Sequence, residues 1–410
     1  MLLAWLSLVA LVIAMIVSCF TQLNVGVLAL ALAWIVGVYV GGMGLNDVLT
    51  GFPVQLFLTL AGVTLLFTQA QLNGTLDRVA HASVRLCRGN VGLIPVMFFL
   101  LGGSIASLGP GNVATAAMLA PMAMAVAARA SIPAFLMAII VGNGAQAGAL
   151  SPFAPTGIIV NGLMDKIGLA GYEWRTFATN FAAHVTVAFI GYFALGGWKL
   201  FKRQYSATDG DGSEIPFSTA HWVTMATVLT VLAAVLFVNA NIGMAAFTGA
   251  VVLAALRVAD HEQSIRRMPW VPILMVSGVS VLVALLEKTG GLDLFTSILA
   301  GLSTPGTLTG TIAFATGVIS VYSSTSGVVL PAFLPTVPGL IMRLGGDPFG
   351  VASSMNIGAH LVDMSPLSTT GAVCIAAIAD PAEVRPTYNK LLAWGMSMTV
   401  IGALGCWLFF

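Results

Sequence analysis

Residues Ser107–Met122 read SLGPGNVATAAMLAPM and Gly142–Gly157 read GNGAQAGALSPFAPTG. Residues Tyr322–Pro335 read YSSTSGVVLPAFLP and Asn356–Gly371 read NIGAHLVDMSPLSTTG. The second pair is the first shifted by 214 positions: Pro121 falls on Pro335, Ala145 on Ala359, Ser151-Pro152 on Ser365-Pro366 and Thr156-Gly157 on Thr370-Gly371. Each copy sets Gly, Ser, Thr, Asn and Pro inside strongly apolar surroundings. Matched polar interruptions in the two halves of a hydrophobic chain point to a transport site built between repeats.

The surroundings of these motifs fix the environment. The chain has 410 residues, 58% hydrophobic and only 8% charged, with a mean hydropathy of +0.98. A soluble protein of this length needs far more charge to cover its surface, so the lipid bilayer is the expected partner. A net charge of +1 argues against nucleic acid as a partner. The four cysteines, Cys19, Cys87, Cys374 and Cys406, form neither a CxxC nor a ligand cluster and read as apolar thiols. No cofactor motif is present. Residues Leu2 to Phe20 lack a basic leading region and run into a second apolar stretch, so they read as a retained helix rather than a cleaved signal.

Outward from the motifs, the expected fold class is an all-α polytopic membrane protein made of two inverted five-span repeats. Each repeat holds a re-entrant helical hairpin and a broken helix. The first repeat covers 1–203. Its spans lie near 2–21, 24–43 and 53–72, followed by an interfacial stretch over 73–89, an inner hairpin over about 91–128 with its tip at Gly109–Asn112, a broken helix over about 132–165 and a last helix over 177–200. A polar linker at 204–219 follows, expected in the cytoplasm. The second repeat covers 220–410, with spans near 220–239, 241–258 and 270–288, an interfacial stretch over 291–302, an outer hairpin over about 306–342, a broken helix over about 347–379 and a final helix over 388–409. With the 73–89 stretch in the cytoplasm, twelve of the sixteen Lys and Arg fall inside and four (Lys166, Arg175, Lys288 and Arg343) outside. The opposite orientation inverts this bias. Both termini are therefore expected outside, in a bacterial inner membrane.

Unpaired backbone groups cost several kcal/mol in hydrocarbon, about 2–7 each, so irregular backbone at membrane depth must line a cavity or be buried in protein. Gly111-Asn112 and Thr325-Ser326 are hairpin tips, and Ser151-Pro152 and Ser365-Pro366 are helix breaks. Meeting at the midplane, they bring together helix N-termini, which suit a carboxylate, and unwound carbonyls, which suit a small hard cation. No Lys or Arg falls in these motifs, so an anion must be held by dipoles, hydroxyls and the Asn112 amide, with a co-bound cation. The bland alternative, that Gly, Ser and Pro only kink and pack helices, explains one motif better than four in register. Beside the second break stand His360 and Asp363, where the first half has Gln146 and Ala149. An intramembrane carboxylate is a functional candidate: Asp363 is expected to bind a cation, to carry a proton, or to be neutralised by His360. His184 reads as a hydrogen-bonded packing residue.

At these residues the chain resembles a known group. Gly111–Pro121 (GNVATAAMLAP) is similar to the hairpin-tip motif of the divalent-anion:sodium symporter family, matching it at Asn112, Ala114, Thr115, Met118 and Pro121, and Leu150–Gly157 resembles that family's Thr-Pro break. The first half is closer to MatC-type dicarboxylate (malonate) carriers, above all in Gly51–Asp77, GFPVQLFLTLAGVTLLFTQAQLNGTLD. The resemblance implies a sodium-coupled secondary carrier of small dicarboxylates, a homodimer in which a transport domain slides as an elevator against a scaffold. It implies substrate contacts at Asn112, Val113, Ser151, Pro152, Thr325, Ser326, Ser365 and Pro366; Thr156 and Thr370, matched beside the two breaks, are expected to join them. A first cation site maps onto Ser107, Gly111, Asn112 and Leu150; a second is expected at Thr325, Asp363 and Met364, where Asp363 would supply what the altered second tip no longer does. Two departures stand out: Gly111 replaces the motif's Ser, and the second tip reads Thr325-Ser326-Gly327 in place of Ser-Asn-Thr.

The competing expectations are a proton-coupled carrier of another small anion, using Asp363 and His360, and an intramembrane enzyme. Against the enzyme stand the absence of HExxH, of GxGD-type aspartate pairs and of a Gly-x-Ser-x-Gly elbow.

Overall fold

The computed structural model describes residues 1–21, 23–84, 90–204, 216–378 and 380–410. Most of the expected linker lies outside them, as do Arg85, Cys87 and Arg88. Apolar runs become helices between capped starts. Asn24 accepts from the N–H of Gly26 at 2.9 Å, Asn241 from Met244 at 3.1 Å, Asp347 from Gly350 at 2.9 Å and Asp380 from Ala382 at 2.9 Å, each satisfying a free first-turn donor.

The first half comprises α1 (Leu2–Phe20), α2 (Val25–Trp34, extended by a π-helical turn over Ile35–Val40), α3 (Leu45–Leu49), α4 (Val54–Leu72), α5 (Thr75–Val84), α6 (Leu93–Leu108), α7 (Gly111–Arg129), α8 (Ala134–Ala147), α9 (Pro155–Lys166) and α10 (Glu173–Ala194). The second comprises α11 (Thr219–Val238), α12 (Ile242–Ala255), α13 (His261–Arg267), α14 (Trp270–Thr289), α15 (Gly291–Gly301), α16 (Leu308–Ser320), α17 (Leu330–Phe333), α18 (Val337–Leu344), α19 (Pro348–Leu361), α20 (Thr369–Ala376) and α21 (Pro381–Phe409). Among the described residues, seven helical runs are long and apolar enough to cross a bilayer, α17 and α18 forming part of one run over Thr325–Leu344. The all-helical, multi-pass architecture expected from the sequence is present.

Several bounds differ from expectation. α10 begins at Glu173 and stops at Ala194, where Leu195 and Gly196 give way to a 3-10 turn over Gly197–Lys202. α21 begins at Pro381, seven residues earlier than expected, because Asp380 caps it and Pro381 occupies its first position. The second hairpin does not turn in one step: α16 ends at Ser320 and a π-helical turn over Thr325–Val329 precedes α17.

The halves interlock by reciprocal helix crossings at glycine. A Cβ on Gly62 of α4 would lie 2.4 Å from the Gly243 carbonyl of α12, and a Cβ on Gly278 of α14 would lie 2.0 Å from the Gly26 carbonyl of α2. The hairpins seat on the broken helices in the same manner: Gly144 of α8 meets the Phe99 carbonyl of α6, and Gly358 of α19 meets the Ala313 carbonyl of α16. Each of these pairs is related to its counterpart by a shift of 214 to 217 positions. Without a hydrophobic drive between helices in lipid, such backbone-on-backbone approaches supply the packing. One core joins α1, α2, α4, α12 and α14 to the second hairpin. Another joins the first hairpin to α8 and α10.

Candidate functional site

The first hairpin turns at Gly109, whose φ of +149° and contact with the Phe67 ring admit only glycine. α7 then starts at Gly111, φ +76°. Gly111 is thus required by backbone conformation, and it offers the expected cation site no side-chain oxygen. The breaks are built alike. Ser151 Oγ accepts from the N–H of Phe153 at 3.3 Å, and Ser365 Oγ from the N–H of Leu367 at 3.3 Å. Gly157 and Gly371 let the resuming helices pass the Ser carbonyls, since a Cβ would fall 1.9 Å from the Ser151 oxygen and 2.1 Å from that of Ser365.

These four features surround a cavity of about 740 Å³. Its wall includes Asn112, Val113, Thr156, Thr325, Ser326, His360, Asp363 and Thr370, all expected site residues. The N-termini of α7, α9, α20 and the Thr325–Leu344 run open on it. Ser107, Gly111, Leu150, Ser151, Pro152, Met364, Ser365 and Pro366 lie behind the wall, outside the lining. Residues that sequence reasoning passed over complete it: Thr21 and Asn24 from the α1–α2 corner, Ser324 at the second tip, and Ser368 and Thr369 at the second break. Among the described residues, the lining holds no Lys or Arg. A second cavity of about 650 Å³ lies at the other end of the molecule, between Thr50–Pro53, Lys166, Glu287, Asp293 and Pro331–Met342.

The polar groups form one connected set. Thr325 Oγ1 donates to Asp363 Oδ1 at 2.7 Å and touches Ser320 Oγ. Gln146 Nε2 donates to Asp363 Oδ2 at 3.2 Å and to Thr370 Oγ1 at 3.1 Å. Gln146 Oε1 accepts from Asn112 Nδ2 at 2.9 Å, and Thr156 Oγ1 donates to Asn112 Oδ1 at 3.4 Å. Gln146 thereby ties the first tip to the second break, a role that its place in an apolar helix did not signal.

The Asn112 amide, expected in the site, lines the cavity with one of its two N–H donors given to Gln146 and its oxygen taking Thr156 Oγ1. One expectation is corrected. His360 does not neutralise Asp363: its Nδ1 donates to the Asn356 carbonyl one turn back, at 2.8 Å, while Asp363 is held by Thr325 and Gln146. Ser107, expected in the first cation site, donates its Oγ to the Gly103 carbonyl at 2.6 Å, and its own carbonyl accepts from Ser151 Oγ at 2.6 Å.

A cavity between two hairpin tips and two helix breaks in a multi-pass helical membrane protein defines a transporter rather than an enzyme. The sequence model of the dicarboxylate carrier protein MatC N-terminus matches residues 1–149, from α1 through α8 to the residue before Leu150. The fold is similar to that of the YdaH transporter from Alcanivorax borkumensis, whose crystal structure is described as showing an unusual topology. The TM-score is 0.61 at 16% identity, covering 100% of this chain and 97% of that one. No curated protein matches the chain.

Proposed function

We propose that the chain is a sodium-coupled secondary carrier of small dicarboxylates. The observation that carries this reading is the convergence of four helix N-termini and a ring of hydroxyls on a cavity without Lys or Arg, with the Asp363 carboxylate on one wall. Helix N-termini favour a carboxylate. A dianion beside Asp363 needs a cation, and hard cations take oxygen ligands. Thr325 Oγ1, Asp363 and the carbonyls around Met364 would supply the oxygens on the second-half side, and Asn112, Gly111, Ser107 and the Leu150 carbonyl those on the first. The matched N-terminal family suggests malonate or a C4 dicarboxylate as substrate.

The main cavity reaches the α1–α2 corner and the start of α14, and the second cavity reaches the opposite helix ends. With the Lys and Arg bias placing that corner in the cytoplasm, this state is open to the inside, both termini are outside, and the two repeats are inverted. Alternating access then moves the hairpins and broken helices against α1, α2, α4, α11, α12 and α14 as an elevator, with a homodimer as the assembly. The test of the substrate reading is protection against thermal unfolding by malonate, succinate, a monocarboxylate and inorganic anions, each with sodium or choline. Protection by dicarboxylates only when sodium is present is expected. Protection by none of the dicarboxylates overturns it.

A further inference from the structure

Behind His360, where α8, α10 and α19 pack together, lies a group of side chains whose hydrogen bonding does not close. Asn180, His184, Asn356 and His360 are essentially unexposed. His184 Nδ1 meets Asn143 Oδ1 at 2.8 Å. Because Asn143 Nδ2 donates to the Ile139 carbonyl at 2.7 Å, its oxygen is the acceptor, and His184 carries its proton on Nδ1. His360 likewise donates from Nδ1 to the Asn356 carbonyl. Asn180 spends its amide donor on the Gln146 carbonyl at 2.9 Å, and Asn356 spends its own on Met164 Sδ at 3.9 Å. The atoms left over are His184 Nε2, His360 Nε2, Asn180 Oδ1 and Asn356 Oδ1, all buried and without a partner. Every one of them is an acceptor. His184 and His360 lie on helices that pack together, and Thr176 of α10 shares Met164 Sδ with Asn356, which brings the α10 and α19 faces together.

The fold does not demand this polarity. By the 214-residue repeat, the positions equivalent to His184, Asn180 and Asn356 are Met398, Trp394 and Gly142, and α21 packs on α8 there as α10 packs on α19. A buried acceptor without a donor costs free energy, and four together in one half call for a ligand that donates. Imidazole nitrogen is the strongest base in the group, whereas a hard alkali ion prefers oxygen.

We propose that His184 and His360, with Asn180 and Asn356, form a proton-binding site inside the moving domain, entered from the main cavity through His360. The bound proton adds to one Nε2, turns that acceptor into a donor and leaves the remaining acceptors to receive it; no bond breaks. On the carrier reading above, on which this rests, a proton then crosses with the substrate in addition to sodium. The charged and titratable groups around the pair are few. Asp363 is held by Thr325 and Gln146. Cys406 of α21 is a buried thiol, and Ser354 of α19 donates to the Gly350 carbonyl. Arg175, at the far end of α10, stacks over Phe349 at 4.2 Å, beside Tyr172. α8 brings only the neutral Asn143 and Gln146, and α16 brings no titratable residue. None of these is hydrogen-bonded to either Nε2.

The experiment uses the full chain in proteoliposomes. At saturating sodium on both sides, an acid-outside pH gradient should accelerate dicarboxylate uptake severalfold, and a trapped pH dye should report protons entering with it. His184→Gln should lose that stimulation while substrate counterflow at equal pH persists, and Asp363→Asn should alter sodium dependence without removing the proton flux. Stimulation lost in Asp363→Asn but kept in His184→Gln overturns the proposal. Imidazole ¹⁵N NMR of the purified protein without substrate reads the same site independently of transport: a proton gained on Nε2 of one of the two rings between pH 8 and 5 is expected, and Nε2 unprotonated on both throughout overturns it. Absence of counterflow at equal pH would instead sink the carrier reading while leaving the NMR result standing.

Discussion

The two helix breaks share a backbone and differ in chemistry. At both, Ser Oγ accepts from the N–H two residues on, and at both a glycine passes the Ser carbonyl. At the first break the polar groups close on one another: Ser151 binds the Ser107 carbonyl, and Asn112 is shared between Thr156 and Gln146. At the second, a carboxylate replaces Ala149, a Ser–Thr pair supports it, and among the described residues Ser365 Oγ makes no bond to the Val321 carbonyl to match that of Ser151 to Ser107. Repeat geometry therefore sets where the cavity is, and a few unmatched residues set what it can do. A fold that needs only the geometry can place charge on one side alone.

The largest break in this comparison is Asp363→Asn. It keeps the shape and removes the charge, making the second break as neutral as the first. Loss of hydrogen bonds to a charged group costs about 1.5–3 kcal/mol, so apparent sodium affinity in uptake assays should fall at least tenfold. Wild-type sodium dependence in the variant would remove Asp363 from the cation site. The shared geometry is tested next by Gly157→Ala and Gly371→Ala. Each added methyl meets a backbone carbonyl, and overpacking costs about 1–3 kcal/mol, so both variants should lower the unfolding temperature by similar amounts. A large loss at one site with none at the other would show that the breaks are not equivalent in structure. The smallest expected effect sharpens the difference. Ser151→Ala removes both a donated and an accepted hydrogen bond, Ser365→Ala only the accepted one. At about 1 kcal/mol per bond, thermal stability should fall more for Ser151→Ala, and the reverse order would contradict the closed first break.

The repeat was legible because close approach leaves no freedom. Gly157 and Gly371, like Gly144 and Gly358, face backbone atoms, so the same residue recurs 214 positions later. The tips were legible for a related reason, since Gly109 and Gly111 sit at positive φ. The start of α21 fell outside the expected span because Pro381, Glu383, Arg385 and Pro386 leave it little apolar pattern. The short helices α3 and α13 were missed because five and seven residues carry little periodic pattern. In the site, Gln146 was illegible because its partner Asp363 lies 217 residues away. The mispairing of His360 with Asp363 came from proximity in sequence: His360 finds the Asn356 carbonyl one turn back on its own helix, and Asp363 finds Thr325 and Gln146 from other elements.

The central claim, a dicarboxylate carrier driven by sodium through the cavity beside Asp363, is tested most directly by uptake of labelled malonate and succinate into proteoliposomes with and without an inward sodium gradient. Accumulation above equilibrium only with the sodium gradient is the predicted result. Equal accumulation when choline replaces sodium, or no uptake of either dicarboxylate by folded protein, would contradict it.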